Sequence, residues 1–395
     1  MPTTDGPSQS TAEATFASAI GAANPKRIAE LKLGKTLDPN APDFRQTLSQ
    51  ALGLPYEQLF DPRFDSPVFI GIRAVQAPPE ILRPVKIGAI AAPARSAPAA
   101  AVAGGPVLTF VPLRDIAIPI PVWWPIIFTD LKYAVTGEFI VDVPTATAPV
   151  QGALGDCWLI SAMASVAWCH SDAIEERTLK EGSGVVAAGG AAYEFTFYAS
   201  SPSWATPRTL SVKDDVPVSS TGQYIYACSS VSGETWPANV EKAFIGMRGP
   251  TGFFEPSSSN YNELNGGDPA WAVASLVGRP PYYYSASDPS AWSIINSRCA
   301  NGVATQPMTA WTYGTGSATI SYDGSGIVAN HAYSILGTET AGGQNYVVLR
   351  NPWGWHEGTL NTLNGTWQGL ALPVDGVFAL RADTFGQYYA GFGGA

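Results

Sequence analysis

Charge is scarce in this chain: Asp, Glu, Lys and Arg make up 14% of its 395 residues, and Lys and Arg nowhere form a run. With a net charge of −10 it lacks the basic patches that hold phosphate backbones, which argues against a nucleic-acid partner. Histidine is scarcer still. There are three, with no H-E-x-x-H and no C-x-x-C pair, so a zinc site is not expected. The four cysteines, Cys157, Cys169, Cys228 and Cys299, are too few and too scattered for a disulfide scaffold. Cys169 reads as packing at the end of a helix. Cys228 and Cys299 read as free thiols, with a bridge between them, and hence an oxidising compartment, left open.

Long apolar runs are also missing. The most apolar stretch, Ile116 to Phe128, is broken by Pro119, Pro121 and Pro125 and is too short to cross a bilayer. It reads as a buried or edge segment, or as a surface that docks a partner, and membrane insertion is not expected. Met1 to Gln9 lacks the basic start and apolar core of a secretory signal. The cytoplasm is therefore the default compartment. The low charge and the many Trp, Tyr, Ser and Gly residues also suit an exported bacterial protein, which leaves non-classical export open.

What is present is enough apolar material, 46% of residues, for large cores in two or three domains. Residues 1–105 stand apart in composition. Thr11 to Ala23 reads as a helix, with Pro25 ending it or starting another through Leu33, and Asp43 to Leu52 as a further helix with Gly53 past its end. Phe69 to Val75 reads as a short strand. Ala91 to Pro106 is almost entirely Ala, Pro and Gly, a composition that cannot bury a core and reads as a linker. Residues 106–266 then form one expected domain, and 267–395 another. In the first, strands are expected at Glu138 to Val143, Ala192 to Ala199 and Thr209 to Val218, and a helix at Trp236 to Met247. Asn265-Gly266-Gly267-Asp268 marks the boundary. In the second, Pro269 to Val277 reads as a helix, and Pro289 to Ser297 as another with Asp288 as its cap. His331 to Leu336 and Tyr346 to Arg350 are the clearest strands, joined by a loop containing Gly342-Gly343. The expectation is an α+β chain with a mostly helical half and a mostly β half.

Chemistry concentrates at Gln151-Gly152-Ala153-Leu154-Gly155-Asp156-Cys157-Trp158. An apolar run from Leu159 to Trp168 follows with no Pro, Gly or charge, so a small-residue turn delivers a cysteine onto the first turn of a buried helix. The free N–H groups and positive end of that helix favour a thiolate, the nucleophilic form. Gln151, six residues earlier, can reach back with a side-chain N–H and, with the Cys157 N–H, hold an oxyanion.

A thiol nucleophile needs a base, and the base needs an orienting group. His170 lies thirteen residues after Cys157, roughly 20 Å away along a continuous helix, and is excluded on that basis. His356 sits in a loop and stays open. His331 heads one strand, and the next ends in Asn351-Pro352-Trp353-Gly354. If the two strands pair as a hairpin, His331 comes beside Asn351, whose amide oxygen can fix the imidazole tautomer while Trp353 shields the bond from water.

These residues resemble the calpain family of cysteine proteases. Q-G-A-L-G-D-C-W is similar to its cysteine segment, H-A-Y-S at 331–334 and R-N-P-W-G at 350–354 to its histidine and asparagine segments, in the family order. Phe139-Ile140-Val141-Asp142, Trp236 with Glu241-Lys242-Ala243-Phe244, Gly266-Gly267, and Asp375-Gly376 with Phe378 also match family segments, over about residues 130 to 390. The resemblance implies a papain-like fold with a cleft between two subdomains. It implies Cys157 as nucleophile, His331 as base and acid, Asn351 as orienter, Gln151 as oxyanion-hole donor and Trp353 as cover, acting on protein or peptide substrates with no required cofactor.

The chain departs from the family at its calcium ligands. Ala148 stands where an aspartate is expected, Val377 replaces a carboxylate, and Asn364 falls where another Asp belongs, while Glu357 and Asp375 are kept as candidate weak ligands. Hard cations need several oxygen ligands, so calcium is expected not to switch this enzyme, or to act at one weak site only. The N-terminal region is expected to be a pro-region or regulatory module cleaved near Ala91 to Pro106, or else a targeting or docking domain. Two other functions share the same residues: a latent binding module, and a Cys-His acyl transferase. The sequence does not indicate an oligomeric state.

Overall fold

The computed structural model describes residues 21–59 and 131–395, apart from 142, 177, 181–191, 200–203, 205, 249–251, 254–255, 257 and 314–319. The expected strand at 69–75, the 91–106 linker, the 116–128 stretch and most of the helix expected over 11–23 lie outside the described residues. The end of that last expectation is corrected: residues 21–23 are not helical. Asn24 starts a helix in its place. Its side chain accepts from the N–H groups of Lys26 and Arg27, Pro25 suits the first turn, and helix α1 runs Pro25–Leu33 to a left-handed Gly34. Helix α2, Phe44–Leu52, ends the same way at Gly53. The two helices enclose Ile28, Ala29, Phe44, Leu48 and Leu52 in a small core shared with Trp353 and Trp355, more than 300 residues later in the chain.

Helix α3 is Cys157–Cys169, and every residue from Cys157 to Ala167 is buried. A helix apolar on all faces must be wrapped on all faces. On one side lies a four-stranded sheet of β1 (Thr178–Lys180), β2 (Ala192–Ala199), β3 (Thr206–Lys213) and β4 (Gly252–Phe253), ordered β1-β2-β3-β4. Tyr193, Phe195 and Phe197 alternate inward from β2, as a half-buried strand requires. Between β3 and β4 comes α4, Trp236–Ile245. Next is α5, Pro269–Val277, capped by Asp268, which accepts from Ala270 and Trp271 N–H. Phe244 meets Trp158 and Trp271 edge to face between α3, α4 and α5, and the two tryptophans lie tilted against each other.

On the other side of α3 is an eight-stranded antiparallel sheet. Its strands are β5 (Tyr282–Ser285), β6 (Cys299–Ala300), β7 (Val303–Thr312), β8 (Ala332–Ala341), β9 (Gln344–Arg350), β10 (Thr362–Leu363), β11 (Val377–Arg381) and β12 (Tyr389–Gly394). Their order is β10-β11-β9-β8-β7-β12-β5, with β6 paired to β7. The expected hairpin is β8 and β9, turning at Gly342-Gly343 with both glycines at positive φ, and its register pairs Ser334 with Arg350. The α+β architecture holds.

Three expectations are corrected. Among the described residues of Glu138 to Val143 there is no strand. Glu138 makes an isolated bridge to Glu234, and its neighbourhood hydrogen-bonds the turn that opens α4. The strand expected over Thr209 to Val218 is two strands, β3 and Val216–Val218. The buried Lys242 ammonium splits them by bonding Lys213 O, Asp215 O and Asp215 Oδ1 at 3.1, 2.6 and 2.6 Å. The helix expected over Pro289 to Ser297 is only Ala291–Asn296, because Asp288 accepts from Ser290 N–H and Oγ–H and closes a turn first. The four-stranded sheet gives the Cys157 half more β structure than the expected mostly helical half.

The two halves are joined through α3 by polar bonds inside apolar packing. Ser165 Oγ donates to Met308 O at 2.8 Å and accepts from Met308 N–H at 2.7 Å, at the point where the β7–β8 register shifts. Ser334 Oγ donates to Ser161 O at 2.7 Å. Ser165→Ala leaves a buried N–H and C=O without partners, which costs about 1–3 kcal/mol. We expect a lower urea midpoint with an unchanged m-value, measured by tryptophan fluorescence.

Candidate active site

The turn before α3 is held from several directions. Gln151 N–H donates to Pro352 O at 2.9 Å, Ala153 N–H to Ile225 O at 3.0 Å, and Gly155 N–H to Asn265 Oδ1 at 2.9 Å. A side chain is impossible at Gly152, where a Cβ would lie 2.2 Å from Tyr226 O. The turn thus delivers Cys157 to the N-terminus of α3 with its side chain wholly buried. Backbone N–H groups of Ala22, Ala332 and Trp158 face the sulfur and favour the thiolate. Burial outweighs them and pushes the thiol up to about 12.

His331 precedes β8 and is also wholly buried. Its N–H donates to Thr312 Oγ at 3.0 Å, and Thr312 N–H donates to His331 O at 2.9 Å, which fixes the backbone. The imidazole Nε2 lies 2.8 Å from Asn351 Oδ1. That oxygen also accepts Trp353 N–H at 3.0 Å, while Asn351 Nδ2 donates to His356 O at 2.8 Å. An amide oxygen already accepting one N–H calls for a proton on Nε2, so Nδ1 keeps its lone pair. Nδ1 has no hydrogen-bond partner among the described residues. The Trp353 ring lies 4.7 Å from the imidazole, and Tyr333 meets it edge-on at 4.9 Å. Burial holds His331 down at about 3, against the opposing bond to Asn351. The peptide of Ala332, the residue after His331, carries the N–H that faces the Cys157 sulfur.

The structure therefore brings together Cys157, His331, Asn351, Gln151 and Trp353. His170 is the residue just past α3, at the end away from Cys157. His356 contributes its carbonyl to Asn351, and its imidazole is buried against Trp355, with ring centroids 5.4 Å apart. Gln151 is fully buried, and its Nε2 donates to Leu154 O and Ala22 O, each at 2.7 Å. The four cysteines are free, so Cys228 and Cys299 are not bridged. Arg27 of α1 reaches the Cys228 sulfur at 3.0 Å, and Cys169 Sγ donates to Ala304 O at 3.3 Å.

Glu357 and Asp375 come near each other, yet a Glu357 oxygen accepts Gly376 N–H at 2.6 Å. Among the described residues no group of three or more His, Cys, Asp and Glu side chains could hold a metal ion. No described helix is long and apolar enough to cross a membrane.

Sequence reading missed three neighbours of the site. Asp156 and Glu241 bury their carboxyl groups together behind Gln151, and burial raises both. Asn24 donates from Nδ2 to Gln151 O and Trp353 O at 2.9 and 3.4 Å, and accepts from Trp355 Nε1 at 3.0 Å. The Asn24-Pro25 pair signals a helix start, which was legible, but nothing local signals what else the asparagine grips.

Residues 130–384 match the family described as calpain family cysteine proteases. The chain belongs to that family. The calpain-1 catalytic subunit of Sus scrofa is 26% identical over 262 residues, covering 62% of this chain and 32% of that protein. A thiol protease of Porphyromonas gingivalis is 26% identical over 274 residues, covering 59% of this chain and 51% of its own length. The human calpain-2 catalytic subunit is 27% identical over 228 residues, 56% of this chain and 30% of that one. The match covers from about a third to a half of the length of these relatives. The matched residues, 130–384, are thus a domain of the calpain family of cysteine proteases.

The thiol raised by burial sets a pH dependence. Below its pKa the thiolate fraction grows about tenfold per pH unit. Iodoacetamide labelling of Cys157 in the full chain should be slow at pH 7.5 and still be climbing above pH 9, read by peptide mapping against Cys299, which is only partly buried. A labelling rate that levels off below pH 8 would contradict this.

Proposed function

We propose that the chain is an endopeptidase that cuts proteins through Cys157, His331 and Asn351, with Gln151 holding the oxyanion and Trp353 covering the His331–Asn351 bond. The observation that carries this reading is the 2.8 Å contact of His331 Nε2 with Asn351 Oδ1, which leaves Nδ1 as the basic nitrogen. In the proposed reaction the Cys157 proton passes to Nδ1 and the thiolate attacks the scissile carbonyl. Negative charge develops on the carbonyl oxygen, where the Gln151 amide and the N-terminus of α3 oppose it. His331 then returns the proton to the leaving amine, and water hydrolyses the acyl-enzyme.

Calcium is not the switch in this reading. Position 148 is a buried alanine, and the Glu357 carboxylate is already engaged by the Gly376 N–H. Restraint comes instead from the N-terminal region. Residues 21–24 lie against Gln151 and Cys157, and the helical pair packs on Trp353 and Trp355. The opening of this cover rewets the thiol and imidazole and brings their protonation equilibrium toward the ion pair.

Two measurements test the proposal. Casein incubated with the wild-type chain in EDTA should be degraded, and casein with Cys157→Ala should not; an absolute calcium requirement would overturn the calcium-free reading. Loss of one oxyanion donor typically costs about 10²–10³ in kcat, so Gln151→Ala should retain a measurable residue of activity in that range. Wild-type activity in Gln151→Ala would remove Gln151 from the mechanism.

A further inference from the structure

Behind Gln151 lies a buried cluster made almost wholly of acceptors. Gln151, Asp156 and Glu241 are each 1% exposed or less. Neither oxygen of Asp156 receives a well-aligned N–H or hydroxyl among the described residues, and Gln151 Oε1 is equally without a partner. Asp156 instead meets the side chains of Glu241 and Gln151. Glu241 comes from α4, and its two oxygens share the Ala227 N–H at 3.2 and 3.1 Å. Oxygens shut away from water without a donor are costly unless something brings protons to them.

The Gln151 amide decides which atoms face one another. Its Nε2 has two protons, and they go to Ala22 O and Leu154 O, each at 2.7 Å. The contact with Asp156 is therefore left to Oε1, and two acceptor oxygens can share a hydrogen bond only across a proton. We propose that two protons close the cluster as a chain, with Glu241 O–H donating to one Asp156 oxygen and an O–H on the other donating to Gln151 Oε1, and that this chain positions the Gln151 amide for the oxyanion. Both carboxyl groups are then neutral. Burial, the largest influence on each, favours that state: it raises Asp156 to about 7 and Glu241 well above the usual carboxylate range. The titratable groups around the pair are Cys157, Cys228, Tyr226 and Tyr261. All are acids, so none offers a positive charge to hold a carboxylate.

Positioning matters because the two ends of an amide are nearly equal in shape. With Nε2 forward, Gln151 offers an N–H to the charge that develops on a carbonyl oxygen. Turned about, it offers an oxygen that repels the same charge. A neutral Asp156 donating to Oε1 holds the amide forward. An ionised Asp156 would draw Nε2 back toward itself and set a second negative charge near the reacting one. Asp156 and Glu241 are thus positioning residues, acting through Gln151 without touching substrate. This inference rests on the endopeptidase reading above.

The test uses the full-length chain near pH 6, with labelled casein in EDTA and a thiol reductant. Asp156→Asn and Glu241→Gln each keep a donor and an acceptor at their place in the chain and should retain about a third or more of the wild-type kcat. Asp156→Ala leaves Gln151 Oε1 bare and should lower kcat about tenfold or more at unchanged KM, since the negative charge develops only on attack. Made in Gln151→Ala, the same substitution should cost nothing further, whereas a merely structural role would multiply the two losses. Infrared difference spectra of wild type against Glu241→Gln should show the stretch of a protonated carboxyl group in the wild type. Three results would overturn the inference and leave the endopeptidase reading standing: a loss of about tenfold in Asp156→Asn, losses that multiply with Gln151→Ala, or absence of the protonated stretch. The first and the last are read without Asp156→Ala, should that variant not fold. A wild-type chain that leaves casein intact would sink the endopeptidase reading and the positioning role with it.

Discussion

Two titratable groups, the thiol of Cys157 and the imidazole of His331, are buried where α3 meets β8. Both are closed off from solvent because α3 is apolar on every face and is packed on all of them. The N-terminal segment adds a third wall. Dryness raises the thiol and lowers the imidazole, so the proton rests on sulfur. The geometry suited to a thiolate–imidazolium pair is therefore present while the pair itself is discharged. Nearly everything else in the fold serves this seam. Ser165 and Ser334 tie α3 to the large sheet, Thr312 pins the His331 backbone, and the tight turn at Gly152 aims Cys157.

The sequence made the seam legible because its parts are short-range patterns. A small-residue turn before an uninterrupted apolar run gives α3 within a residue of its observed start. Alternation gives β2. A hairpin with Gly342-Gly343 at its turn brings His331 to Asn351 across twenty residues, since register follows from the loop. The Pro269–Val277 helix also lies where the sequence reading places it. Expectations failed where a distant side chain intervened. Lys242 reaches across from α4 to split one strand at Asp214-Asp215, and the backbone at Glu138 is taken by the turn before α4. No periodicity in either segment registers a partner that far away.

The N-terminal region was the least legible part for a related reason. Gly21, Ala22 and Ala23 look like the tail of a helix because alanine is the best helix former. Isolated propensity is weak, however, and a slot between two backbones with a waiting amide donor outweighs it.

The two tryptophans of the asparagine loop have a double engagement. Trp353 roofs the imidazole, and with Trp355 it forms the floor on which α1 and α2 rest. One surface therefore serves the reacting groups from below and the helical pair from above. Linkage makes such sharing reciprocal: whatever shifts the loop's preference for one neighbour shifts its hold on the other by the same free energy. A protein that grips the helical pair from outside would act on the basicity of His331 without approaching the cleft, and a peptide seated in the cleft would in turn change how firmly that pair is held.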